Sequence, residues 1–180
     1  MRQSRRAGEP IIGRIMTQTS KQILTMIALL LPLFGPVPAM ITAAQAQSVV
    51  SIIVTDPLTG YAIGGMDPVS YFTEPGPLAG RPELELKWKG VPWLFASAAN
   101  MEIFKRNPEL YSPQYGGYGA MSMARGFLSE ANPSIYTVYK QRLFLFYSAS
   151  NREAFLLSPD AAALRGEENW QALSKTLTTR

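Results

Sequence analysis

The sequence YSPQYGGYGAMSMARG, at residues 111–126, is the segment from which the fold is best predicted. It contains three tyrosines, four glycines and two methionines, but no histidine, cysteine or carboxylate. Glycine suits positions of positive φ or close approach, and tyrosine combines a large apolar ring with a polar tip. The segment therefore predicts a tight turn walled by aromatic rings. Two interpretations stay open: the turn closes the hydrophobic core, or it forms the wall of a small pocket.

A second glycine pair lies about fifty residues earlier, in YAIGGMDPVSYF at residues 61–72. Pro68 suits the first position of a short helix, and Asp67 directly before it suits the N-cap. We expect the Asp67 carboxylate to accept the free N–H groups of that turn. A catalytic role for Asp67 is the alternative.

Two strand pairs flank the aromatic segment. Alternating residues predict a hairpin of 84–88 with Val91–Phe95, followed by a helix Ala98–Arg106 that Ser97 caps. A similar order follows the segment. It consists of strands 135–138 and 143–147, a helix through residue 157 opened by a Ser150/Glu153 capping box, a short helix ending at Gly166 and a last helix 167–177.

This order of elements predicts a small single α+β domain with two antiparallel strand pairs and several short helices, preceded by a signal peptide. No full-length internal repeat is evident in the sequence, although a strand pair followed by a capped helix occurs twice. We divide the chain into a leader (1–46), an N-terminal linker or edge segment (47–60), expected to be loosely attached, and a folded domain (61–177).

The leader has the pattern of a signal peptide. Lys21 precedes an apolar run over residues 23–40, and Ala44-Gln45-Ala46 matches a signal peptidase site with cleavage before Gln47. This predicts a periplasmic or secreted protein. Three alternatives stay open, namely translation from Met16, twin-arginine export through Arg5-Arg6, and an uncleaved leader that anchors the protein to a membrane.

Charge and composition exclude several classes of function. The net charge of +4 arises entirely within the first 46 residues, and the remainder carries 12 basic and 12 acidic residues. A neutral domain lacks the basic face that nucleic-acid binding requires, so we predict no nucleic-acid partner. Without cysteine or histidine, the chain has no disulfide and no Ser-His-Asp or Cys-His hydrolase site.

The ordered motifs resemble the exported bacterial YHS domain proteins. The similar residues run from Tyr61 to Leu173 and comprise GMDPVSYF at 65–72, FAS at 95–97, the helix end from Phe104 to Tyr111, PQYGGY at 113–118 and Asn169-Trp170. The resemblance implies a small α+β module without an established activity, which in some members binds metal through cysteine. Here Gly119 stands where many members have that cysteine, and Met66 stands where tyrosine is common. A thiolate or imidazole metal site is therefore not carried over.

One metal hypothesis remains, because thioethers suit Cu(I) in an exported protein. Met121 and Met123, with Met66, are the candidate ligands. A spacing of two puts both sulfurs on one face of a strand, whereas on a helix they diverge by about 200°. The alternative is that these methionines fill gaps in the core.

Our leading functional hypothesis is a non-enzymatic module that binds an unknown small molecule or protein partner. The candidate ligand-binding residues are Asp67, Tyr71, Tyr115, Tyr118 and Arg125, which would hold a planar or anionic group by stacking and a guanidinium fork. An enzyme of unknown reaction is the alternative, with Asp67 or Glu130 as general base and a tyrosine as acid.

Overall fold

The structure is a computed structural model that describes residues 50–178. This range forms two antiparallel strand pairs, several helices and three short 3₁₀ turns, so the predicted α+β class is confirmed. The helices are α1 (Ser70–Thr73), α2 (Ala98–Arg106), α3 (Pro108–Tyr111), α4 (Ala120–Ala124), α5 (Ala149–Leu156) and α6 (Pro159–Leu173); the strands are β1 (Arg81–Trp88), β2 (Val91–Phe95), β3 (Asn132–Tyr139) and β4 (Arg142–Phe146); the 3₁₀ turns are Ile63–Gly65, Gln114–Gly117 and Ser174–Thr176.

The two hairpins have the same register. In β1–β2 the pairing shifts between Arg81 and Glu85, and in β3–β4 it shifts between Asn132 and Tyr136, 51 residues later in both cases. Each hairpin follows a 3₁₀ turn and a short helix and precedes a capped helix. We call residues 63–111 the first half and residues 114–173 the second half. The described chain therefore contains an internal repeat in structure, and part of it is visible in the sequence, where FASAANMEIF at 95–104 matches FYSASNREAF at 146–155.

Local contacts repeat at the same spacing. The first α-helix after each hairpin is capped by a serine, with the Ser97 Oγ accepting from Asn100 N–H (3.1 Å) and the Ser148 Oγ from Asn151 N–H (3.3 Å). Serine is a strong N-cap because its oxygen satisfies an orphan N–H of the first turn. The predicted cap at Ser150 is wrong by two residues, since α5 begins earlier, after Ser148.

Each half buries its own aromatic cluster. Phe104 of α2 is fully buried against Trp88, Trp93 and Phe95 in the first half. In the second half, Phe155 of α5 is likewise fully buried and packs against aromatic residues of β3 and β4. The two hydrophobic clusters of the domain meet at β4, because Leu143 and Leu145 belong to the first cluster and Phe144 and Phe146 to the second.

The described part of the N-terminal segment is packed into the domain, so the expected loose attachment is wrong there. Ile53 is 4% exposed, Ile52 N–H donates to Thr178 O, and Val54 N–H donates to Gly116 O (both 2.8 Å). At Gly116 a Cβ would overlap the carbonyl oxygen of Ile52. The glycine is thus required by the close approach of this segment.

The last helix also differs from the prediction, because α6 continues through Gly166 instead of ending there. Gly166 faces the ring of Tyr115, and a Cβ at this position would lie 2.5 Å from the Tyr115 hydroxyl. The glycine therefore admits an aromatic ring and does not mark a helix end. Within residues 50–178, none of the helices is long and apolar enough to cross a bilayer. The predicted leader lies outside the described residues.

Candidate functional site: an aromatic cavity between the two halves

A cavity of about 250 Å³ lies between the β1–β2 hairpin of the first half and helix α6 of the second. We call it the aromatic cavity, because all three tryptophans of the chain and one tyrosine line it. Its aromatic lining residues are Trp88, Trp93, Tyr115 and Trp170, and its charged lining residues are Lys89, Glu109 and Glu167.

The β1–β2 hairpin fixes one wall of the cavity. Trp88 and Trp93 lie on neighbouring strands with ring centroids 5.5 Å apart, and the Trp93 indole N–H donates to the Trp88 carbonyl (3.3 Å). Trp93 is 1% exposed and forms the floor, while Trp88 is half-buried. Both rings also pack against Phe104. Because the fully buried Phe104 supports both indoles, this wall is built before any ligand binds.

The opposite wall comes from the Gln114–Gly117 turn and from α6. Tyr115 has a left-handed φ of 58°, and its hydroxyl donates to the Ala163 carbonyl of α6 (3.0 Å). Its ring centroid lies 6.2 Å from that of Trp170. Since Gly166 leaves room for the Tyr115 ring against α6, the positions of these two rings are coupled.

Charged groups surround the cavity. The Lys89 ammonium lies 4.4 Å from the centroid of the Trp88 ring and 2.9 Å from Glu109 Oε1. Glu167 accepts from the Arg142 guanidinium (3.3 Å), which also donates twice to Gln114 Oε1. The lining thus holds one cation and two carboxylates beside four aromatic rings. Such a site can bind a small molecule by stacking and charge, and its lining includes no thiol or imidazole.

Asp67 is fully buried and works as a structural acceptor. Its Oδ1 accepts from Val69 N–H (2.9 Å), and its Oδ2 accepts from Ala96 N–H (2.9 Å) and from Asn100 Nδ2 (2.6 Å). The carboxylate does accept the Val69 N–H, but the helix begins at Ser70 with Val69 at the N-cap position, so the predicted N-cap at Asp67 is wrong by two residues. The other two bonds join α1 to the end of β2 and to α2.

The three candidate tyrosines are also buried, and their hydroxyls donate to backbone carbonyls. These bonds run from Tyr71 to Pro133 (2.9 Å), from Tyr115 to Ala163 (3.0 Å) and from Tyr118 to Ser51 (2.6 Å). Burial raises the pKa of Tyr71 well above its usual range, the pKa of Tyr115 to about 12, and the pKa of Tyr118 above its ordinary value. All three phenols are therefore protonated at neutral pH.

Arg125 lies elsewhere. It is exposed and lines a separate recess of about 400 Å³ among α4, α5 and α6, together with Met121 and Arg165. The structure therefore does not bring the five predicted residues to one cavity. Tyr115 lines the aromatic cavity and Arg125 the separate recess, whereas Asp67, Tyr71 and Tyr118 are held inside the fold.

The candidate copper ligands are also apart. Met121 and Met123 lie on helix α4, where a spacing of two turns the side chains away from each other. Met123 is fully buried in the second cluster, Met121 lines the recess of Arg125, and Met66 packs against the first cluster. This placement does not favour a shared Cu(I) site. Among residues 50–178, no group of three or more carboxylates is arranged to hold a metal ion.

Comparison with known proteins adds no relative: no protein-family model, curated protein or solved structure matches the chain. The resemblance to YHS domain proteins therefore stays a prediction.

Sequence reasoning missed most of the cavity. The residues predicted from the sequence to bind a ligand include none of the three tryptophans and neither Glu109 nor Glu167. A signal was present in α6, because Glu167 and Trp170 are three residues apart and therefore lie on one face of a helix. No local pattern, however, indicates that this face meets the β1–β2 hairpin.

Proposed function

We propose that this protein is an exported, non-enzymatic module that binds a small molecule in the aromatic cavity. The observation that carries the proposal is that Trp88, Trp93, Tyr115 and Trp170 all line one opening of about 250 Å³. A cavity lined by aromatic rings with a few charged groups is the usual form of a small-ligand site. The resemblance to exported YHS domain proteins, taken from the sequence, implies export and leaves the activity open.

The chemistry of the lining favours binding over catalysis. Asp67, one of the two candidate bases, is enclosed by three hydrogen-bond donors and is fully buried. The pKa of Tyr115 is raised to about 12, so its phenol, already donating to Ala163, is a poor proton donor at neutral pH. Glu130, the other candidate base, lines a smaller recess of about 150 Å³ and not the aromatic cavity.

Tryptophan fluorescence tests the proposal directly, because each tryptophan of the chain lines the cavity. We expect a screen of small aromatic and cationic compounds against the purified protein to yield ligands that change the emission and raise the melting temperature. Trp170→Leu should weaken binding about tenfold through the lost stacking face. Tyr147→Leu is the matched control, since Tyr147 is 66% exposed and does not line the cavity.

Two results would contradict the proposal. One is a screen in which no compound changes either the emission or the melting temperature. The other is a ligand whose affinity falls as much in Tyr147→Leu as in Trp170→Leu. Thermal unfolding of both variants shows whether a lost affinity reflects a lost fold.

A further inference from the structure

We propose that the ligand of the aromatic cavity is a small organic monocation whose charged group carries methyl groups, of the quaternary ammonium class. This inference rests on the proposed function and names its ligand class. It depends on three observations: the aromatic lining, the position of Lys89, and the balance of charge around the cavity.

The aromatic lining is of the kind that attracts cations. The face of an indole or phenol ring carries negative potential, and a cation within about 6 Å of the ring centroid is stabilised by it. Of the four aromatic rings that line the opening, Trp88 and Trp170 are half-buried and accessible to a ligand, whereas Trp93 and Tyr115 are buried and pack behind them. Methylated ammonium groups suit such a site, because their methyl groups replace water at the ring faces while the charge is retained.

Lys89 shows that a cation already occupies one ring face. Its ammonium lies 4.4 Å from the Trp88 centroid and is held by Glu109 at 2.9 Å. The Lys89 and Glu109 side chains are 44% and 72% exposed, so this ion pair is weak and open to exchange. A ligand cation can therefore take the position of the Lys89 ammonium over Trp88 and beside Glu109.

The charge of the lining fits a single positive charge. Lys89 opposes Glu109 and Glu167, so the three charged lining residues sum to one negative charge. Glu167 is partly neutralised by Arg142 at 3.3 Å, but the Arg142 guanidinium lies over the Phe144 ring and does not line the cavity. An anionic ligand would meet the two carboxylates of the lining, whereas a monocation that displaces the Lys89 ammonium keeps the charge around the cavity balanced.

The test compares choline with its neutral isostere 3,3-dimethyl-1-butanol, using tryptophan emission and isothermal titration calorimetry on the purified full-length protein. The two probes have nearly the same shape, and a quaternary carbon replaces the charged nitrogen in the alcohol. We expect choline to bind at least about tenfold more tightly, with 1:1 stoichiometry.

Paired variants locate the charge effect. Glu167→Gln should weaken choline binding about tenfold and leave the alcohol unchanged, while Glu168→Gln, the exposed neighbour outside the cavity, should change neither. Lys89→Met should tighten choline binding, because it removes a competing cation. Lys140→Met is its control, since Lys140 pairs with Asp160 at the equivalent place of the second half.

Equal affinity for choline and the alcohol would overturn the cation inference and leave the proposed binding function intact, because it would show a purely apolar cavity. Binding of neither probe would overturn the inference, and the wider ligand screen would then decide the proposed function separately. Equal loss of choline affinity in Glu167→Gln and Glu168→Gln would also contradict the inference.

Discussion

The first and second halves of the domain have the same order of elements but differ at one equivalent backbone position, occupied by Asp67 in the first half and by Gly119 in the second. We call this position the corner. In each half a glycine pair precedes a short helix, and the corner residue lies two positions after the pair. The backbone N–H of the corner residue donates to a carbonyl just before the hairpin. The two bonds run from Asp67 to Leu78 O and from Gly119 to Ser129 O, both at 2.8 Å. In the first half the Asp67 side chain fills the corner. In the second half the corner has no side chain, because Gly119 stands there.

The comparison teaches that the same backbone hydrogen bond forms at this position whether or not a side chain is present there. A second difference has a functional consequence. The proline after α2 begins a helix of four residues, α3, whereas the proline after α5 begins α6, of 15 residues. The longer helix carries Glu167 and Trp170 to the hairpin of the first half. The aromatic cavity therefore forms where the two halves differ.

The largest expected effect that separates the halves is at the corner itself. Asp67→Ala leaves one buried donor, at Val69, and two half-buried donors, at Ala96 and Asn100, without an acceptor and should cost about 3 kcal/mol of unfolding free energy. Gly119→Ala should change it by less than about 0.5 kcal/mol, because its φ is −63° and a Cβ there would lie no closer than 3.4 Å to its neighbours. Urea unfolding of both variants measures the contrast.

Equal losses in Asp67→Ala and Gly119→Ala would show that the two corners are equivalent after all. A stable Asp67→Ala variant would mean that water replaces the carboxylate as acceptor for Ala96, Val69 and Asn100. Either result would remove the main physical distinction between the halves.

Sequence patterns predicted the hairpins and the helix Ala98–Arg106 because these depend on local alternation, turn residues and caps. The internal repeat is partly visible in the sequence, because FASAANMEIF at 95–104 and FYSASNREAF at 146–155 share their capping serine and their buried phenylalanines. It escaped a search for a full-length repeat because other matching positions differ, as Asp67 and Gly119 do. The cavity was missed for a related reason. Its walls come from a hairpin, a turn and a distant helix, so that only tertiary packing brings Trp93 and Trp170 to one opening.

The glycine turns give the next contrast. Gly64 and Gly116 have nearly the same left-handed φ, 62° and 63°, so an alanine at either position pays a similar conformational cost of about 1 kcal/mol. A Cβ at residue 64 would lie 3.5 Å from Pro133, whereas at residue 116 it would overlap the Ile52 carbonyl. Gly116→Ala should therefore be about 2 kcal/mol less stable than Gly64→Ala.

Hydrogen exchange of the Val54 amide, which donates to Gly116 O, would show where this extra cost arises. We expect faster exchange of that amide in Gly116→Ala and no change in Gly64→Ala. Similar stability of the two variants, with protection of Val54 retained in both, would show that the N-terminal segment yields to the added methyl group.

The smallest expected effect concerns alkaline stability and the tyrosines that each half buries. Burial is the main cause that raises the pKa of Tyr115 to about 12, against about 10 in an unfolded chain. The folded state therefore holds the Tyr115 proton more tightly than the unfolded chain does. The resulting contribution to the free energy of unfolding is complete below about pH 10 and is lost as the pH rises toward 12. Tyr115→Phe should lower stability at pH 8 by about 1 kcal/mol, through the lost bond to Ala163, and should flatten the alkaline decline.

Tyr71→Phe provides the comparison from the first half, since burial also raises the pKa of Tyr71. Stability curves from pH 8 to 12 that decline as steeply in both variants as in the unmodified protein would show that neither phenol controls alkaline unfolding.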